Sequence, residues 1–136
     1  MKGENLMQNN RSRKSKYNNK KTKIGNKTFD SVLEARYYRY LNKLVSIGEV
    51  VSFQSQVPYV VTDAFQKSGR SFKALRYYAD FVVQYADGHE EIIDTKGTIT
   101  DVFKLKYQLF EQRYPDKTIK LIKQASDKSW VTFDIK

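Results

Sequence analysis

Two short apolar runs each carry one carboxylate, and the second adds a lysine two residues on: Tyr77-Tyr78-Ala79-Asp80-Phe81-Val82-Val83 and Ile92-Ile93-Asp94-Thr95-Lys96-Gly97. Two acids and a lysine brought together by a β-hairpin make a seat for a hard divalent cation such as Mg²⁺, which takes oxygen ligands and keeps several waters. Such an ion lowers the pKa of a water and stabilises charge that builds on phosphorus. A neighbouring ammonium orients the attacking water or balances the added charge. In a chain of net charge +10 the fitting substrate is a phosphodiester. The same residues also fit a plainer role as surface ion pairs, Asp94 with Lys96 and Asp80 with Arg76.

The hairpin fixes the geometry of this expectation. A three-residue turn over Ala86-Asp87-Gly88, with Gly88 left-handed, pairs Tyr85 with His89 and sets Asp80 opposite Asp94. Opposed residues share a face, with Cβ atoms ~5 Å apart. Lys96 then points the same way, the Thr95 carbonyl offers a further ligand, and Phe81, Val83 and Ile93 take the other face. A turn one residue longer or shorter separates the acids.

The flanking elements follow from pattern. Ser31-Val32-Leu33-Glu34 has the form of a capping box. It predicts a helix to about Ile47, with Leu33, Tyr37, Leu41 and Leu44 inward, Arg36, Arg39 and Lys43 facing solvent or a ligand, and Gly48 as the stop. Glu34 either extends a metal shell or serves only the cap. Val50 to Val61 reads as a strand, with Pro58 near an edge. Gln54 and Gln56 on it are candidates to position water. Residues 63–73 read as an exposed connection. A second helix spans about Thr100 to Tyr114, with Phe103, Tyr107, Phe110 and Tyr114 as its apolar face, widened by Val102 and Leu109. A strand at Ile119–Ile122 follows, with Trp130–Phe133 as a candidate for one more. The order α-β-β-β-α-β predicts an α/β domain with a mixed central sheet.

The 136 residues suit one domain. With no cysteine, disulfides and thiolate metal sites are excluded. No apolar run approaches the ~20 residues that span a bilayer, so a soluble, cytoplasmic protein is expected. Residues 1–27 hold nine basic side chains against Glu4 alone. They read as a flexible arm, either merely solubilising or binding phosphates through Arg11, Arg13, Lys14, Lys16, Lys20 and Lys21. The domain proper is expected over 28–136. Arg36, Arg76, Lys104 and Lys106 are further candidates for phosphate contacts, or plain surface charges. Base stacking on the Arg36–Tyr40 cluster competes with a core role for Tyr37. His89, beside the turn, reads as incidental.

Glu34 within Phe29-Asp30-Ser31-Val32-Leu33-Glu34, Asp80 within Tyr78-Ala79-Asp80-Phe81, and Asp94-Thr95-Lys96-Gly97 occur in the order of the PD-(D/E)XK nuclease superfamily. Over roughly residues 28–125 the chain most resembles the bacteriophage endonuclease I Holliday-junction resolvases and a related group of small phage and prophage proteins. Asp94 stands where those resolvases carry glutamate, and Ala79 where they carry proline. The resemblance implies a restriction-endonuclease-like core. It further implies Glu34, Asp80 and Asp94 as metal ligands, Lys96 as catalytic lysine, Mg²⁺ with Mn²⁺ as substitute, branched DNA as substrate, and a homodimer. The readings that compete with it are a structure-selective or nicking nuclease and a non-catalytic nucleic-acid-binding protein.

Overall fold

The capping box folds as its sequence requires. Ser31 is extended, its hydroxyl accepts the Glu34 N–H at 3.0 Å, and helix α1 runs Val32–Ser46. Gly48, at a φ of 84°, turns the chain into the next strand. The computed structural model describes residues 21–25, 27–29 and 31–135. Arg11, Arg13, Lys14, Lys16 and Lys20 lie outside the described residues. Lys21 is exposed. At the expected boundary near residue 27, β1 (Thr22–Ile24) and β2 (Lys27–Phe29) pair as a small antiparallel ribbon. Its apolar residues explain this: Ile24 and Phe29 pack into the same cluster as α1.

The chain continues through β3 (Val50–Thr62), β4 (Phe65–Lys67), β5 (Arg70–Phe72), β6 (Leu75–Tyr85), β7 (Glu90–Thr95), α2 (Asp101–Arg113), β8 (Ile119–Gln124) and β9 (Trp130–Phe133). The central sheet has the order β3-β6-β7-β8-β9. Only β7 and β8 run parallel, joined by α2 as the crossover, so the sheet is mixed. Pro58 sits on β3, at the sheet's edge, where a missing N–H is tolerated.

Among the described residues one helix covers each face of the central sheet. Ala35, Tyr37 and Leu41 of α1 pack with Phe81, Val83, Ile93 and Ile122. Phe103 and Phe110 of α2 pack with Tyr77, Ala79, Val82, Ile92 and Leu121. Thr100 caps α2 by accepting the Phe103 N–H at 3.1 Å. Val102, expected to widen the apolar face, is instead 62 % exposed. Among the described residues no helix is long and apolar enough to cross a membrane.

The stretch 63–73 is not a plain connection. β4 and β5 form a two-residue hairpin, with Ser68 at φ 53° and Gly69 at φ 76° in its turn. Positive φ at both positions is the mirror-image turn whose twist matches paired strands.

Candidate functional site

The β6–β7 hairpin has the expected register. Phe81 pairs Ile93, Val83 pairs Glu91, and the Tyr85 N–H donates to the His89 carbonyl at 2.9 Å. The ladder ends at Phe81 and Ile93, whereas β6 stays paired with β3 as far back as Leu75. Asp80 and Asp94 therefore stand in the fork where β6 and β7 part.

The side chains do not share one face, and this corrects the expectation. Asp94 follows Ile92 toward α2, whereas Asp80 turns toward α1. The cause is a break in alternation. Ala79 packs with the α2 cluster and Phe81 with the α1 cluster, although they are two residues apart. On β3, Phe53 and Val57 divide in the same way, and between them Gln56 takes a φ of 54°. A left-handed residue inside an edge strand re-aims its neighbours as a bulge does.

Asp94 is 2 % exposed and held on two sides. The Tyr77 hydroxyl donates to its Oδ2 at 2.5 Å, and Lys96 Nζ lies 2.9 Å from its Oδ1. Oδ1 nonetheless takes no hydrogen bond of good geometry, so a buried carboxylate oxygen keeps only its ion-pair contact. Lys96 Nζ also sits 4.0 Å from the centre of the Phe103 ring, which fixes the ammonium between a carboxylate and a π-face. Burial raises the Asp94 carboxyl above its ordinary range, opposed by Lys96 and the Tyr77 bond. Burial, followed by the charge of Asp94, raises the Tyr77 phenol.

Asp80 is partly accessible. Its Oδ2 accepts from the Thr95 N–H at 2.8 Å and the Thr95 hydroxyl at 2.9 Å. Thr95 thus enters the site as a double donor, through its N–H and its hydroxyl. The Gln56 amide donates to Asp80 Oδ1 at 3.3 Å and to Glu34 Oε2 at 2.7 Å, so it stands between two acids. Burial, then the charges of Asp94 and Glu34, push the Asp80 carboxyl up to about 8 against the Thr95 bond and Lys96. Asp80 is therefore close enough to feel the charges of both Asp94 and Glu34, and a cation would relieve that repulsion.

The donor set suits a hard divalent ion: carboxylate oxygens, one of which, the buried Asp94 Oδ1, has only the Lys96 ammonium against it. Among the described residues no three acids or histidines already stand in metal-holding geometry, and the Gln56 amide bonds both Glu34 and Asp80. Two clefts of about 500 and 570 Å³ lie elsewhere, toward the β6–β7 turn and along β8 and β9, and none of the four site residues lines either.

Of the remaining candidates, Arg36 bonds Gln124 at 3.0 Å on the surface, and Arg76 and Lys104 are exposed. None of them touches the acids. Tyr37 is core. His89 stacks on Tyr85 and pairs with Asp87 at the far turn. Tyr77 and Phe103, which hold Asp94 and Lys96, read in the sequence only as apolar positions. The hydroxyl of a tyrosine facing a strand acid was the available signal for the first.

Gln56 supplies a direct test. Gln56→Ala removes two bonds to carboxylates and is expected to cost about 2 kcal/mol. Gln56→Gly removes the same bonds but relaxes the left-handed backbone, and should recover about 1 kcal/mol of that. Urea unfolding of both variants checks the difference; equal stabilities would show that the backbone at 56 is unstrained.

No curated protein and no solved structure matches the chain. A family model described as protein of unknown function (DUF1064) matches residues 14–129, and the chain belongs to that family.

Proposed function

We propose that the protein is a metal-dependent DNA endonuclease of the PD-(D/E)XK type. The observation that carries this reading is the fork of β6 and β7, where a partly accessible Asp80 and the ion pair of buried Asp94 with Lys96 lie within electrostatic reach of one another, Asp80 also feeling Glu34. Asp80, Asp94 and Glu34 would hold Mg²⁺, with Mn²⁺ as substitute. Bound there, the ion would supply Lewis acidity and a water of lowered pKa.

The chain's own residues supply the rest. Tyr77 and Lys96 hold the Asp94 carboxylate in one orientation. Thr95 does the same for Asp80 through two hydrogen bonds. The Lys96 ammonium, kept from wandering by Phe103, offsets negative charge that develops on a phosphate seated in the fork. Net charge +10 favours a polyanionic substrate. Branched DNA is the preferred substrate in this reading. Symmetric cutting of a four-way junction needs two sites, hence a homodimer.

Incubation of labelled linear, forked and four-way DNA with Mg²⁺, Mn²⁺ or EDTA tests the proposal. Cleavage in either metal and none in EDTA is expected, fastest on the junction. Equal rates on all three would remove the junction preference and leave a general or nicking nuclease. No cleavage in either metal would leave a non-catalytic DNA-binding protein, a reading favoured by the Gln56 amide lying between Glu34 and Asp80.

A further inference from the structure

The β4–β5 hairpin projects between β3 and β6, and all six of its strand residues are exposed. Its register pairs Phe65 with Phe72, Gln66 with Ser71, and Lys67 with Arg70. Side chains alternate along a strand and opposed residues share a face. Phe65, Phe72, Lys67 and Arg70 therefore occupy one face, and Gln66 and Ser71 the other. On the first face the two rings stack at 4.6 Å and 8°, and the Arg70 guanidinium lies 5.5 Å from the Phe72 ring. Phe65 is 54 % exposed and Phe72 37 %. An exposed pair of this kind contributes little to a core.

The charge here has one sign. Lys67, Arg70, Lys73 and Arg76 are the charged residues between Asp63 and Asp80, and none pairs with an acid among the described residues. The ribbon is also anchored at its root. Asp63 pairs with Arg113 of α2 at 2.8 Å, and the Tyr114 hydroxyl donates to the Val60 carbonyl at 2.8 Å. Phe72 is eight residues from Asp80, at most about 27 Å of chain. A two-stranded ribbon fits the major groove of B-form DNA.

We infer that the β4–β5 ribbon is a duplex-DNA contact, with Lys67 and Arg70 on backbone phosphates and the Phe65–Phe72 pair against the groove wall. The inference rests on the nucleic-acid reading above and names the surface that grips the duplex flanking the cut. The commitment to DNA comes from charge: an uncompensated basic face suits a polyanion, whereas a second copy of this chain would bring the same charge against itself.

The test measures binding, not cutting. A labelled duplex of about 25 bp is titrated in EDTA with the full chain over a range of salt. Lys67→Ala/Arg70→Ala should weaken binding on the order of tenfold and lower the slope of log affinity against log salt by about two. Phe65→Ala/Phe72→Ala should weaken binding and leave the slope unchanged. Lys43→Ala/Lys117→Ala removes equal charge elsewhere and should bind like wild type. Circular dichroism confirms that each variant folds. Ribbon variants that bind like wild type, while the wild type binds tightly, overturn this inference and leave the nuclease reading standing. Ribbon variants that change the sedimentation coefficient but not DNA affinity overturn it in favour of a protein interface. A wild type without DNA affinity overturns both.

Discussion

Lys96→Met is expected to lower Mg²⁺-dependent cleavage by about a thousandfold while leaving DNA binding in EDTA intact, the size of effect seen when one preorganised donor is taken from an anionic transition state. Methionine keeps the stem that lies over Phe103 and removes only the ammonium. The obvious confusion is folding, because the change leaves the buried Asp94 carboxylate without its ion-pair partner. Breaking a buried pair from one side costs about 3–5 kcal/mol. The double variant Asp94→Asn/Lys96→Met separates the two effects. It removes both charges, keeps an acceptor for the Tyr77 hydroxyl, and should fold near wild-type stability yet remain inactive. Single-turnover cleavage on a four-way junction, beside urea unfolding of both variants, reads the two quantities apart. A Lys96→Met protein that cleaves within tenfold of wild type would remove the ammonium from the chemistry.

Much of this architecture was legible because local signals agreed. Ser31 and Glu34 announce α1, Gly48 ends it, and the Ala86-Asp87-Gly88 turn fixes the register that sets Asp80 against Asp94. Register, however, is a statement about backbone pairing. It says which residues are opposed only while the ladder lasts, and here it stops one pair short of the acids. The reversal of facing at Gln56 could not be read, because glutamine carries no propensity for left-handed backbone; tertiary contacts impose it. The β4–β5 ribbon was readable in principle. Ser68-Gly69 is a turn dipeptide, and Phe65-Gln66-Lys67 mirrors Arg70-Ser71-Phe72 around it, but three-residue strands fall below what periodicity resolves. Tyr77 and Phe103 show the remaining gap. Both satisfy an apolar pattern, and only the folded chain reveals that one donates to Asp94 and the other carries Lys96.

The same crowding of carboxylates makes a second large prediction, on stability without metal. In the unfolded chain an aspartate ionises near 3.9, whereas burial beside Asp94 and Glu34 pushes Asp80 up to about 8. Between those values the folded protein binds a proton that the unfolded chain has released, so stability falls as pH rises through the window. It is fully present below about pH 4 and lost by about pH 8. Because Asp80 is partly open to solvent, the loss is expected to be about 3 kcal/mol rather than the full span of the shift. Asp94, also raised by burial, acts in the same direction. Glu91 does not counter it: half-buried and bonded by Tyr85 and Lys120, its carboxyl is lowered, so its contribution is lost only as pH falls toward the bottom of the window. Asp80→Asn should flatten the profile by removing the group that titrates. Under the proposed reading Mg²⁺ would compete with the proton for the same oxygens, restoring stability at about pH 8 while doing little at about pH 5. Urea denaturation at several pH values, with EDTA and with Mg²⁺, decides the matter. A wild-type profile that is already flat in EDTA would mean that Glu34, Asp80 and Asp94 do not crowd one another, and would take away the electrostatic reason for a cation at the fork.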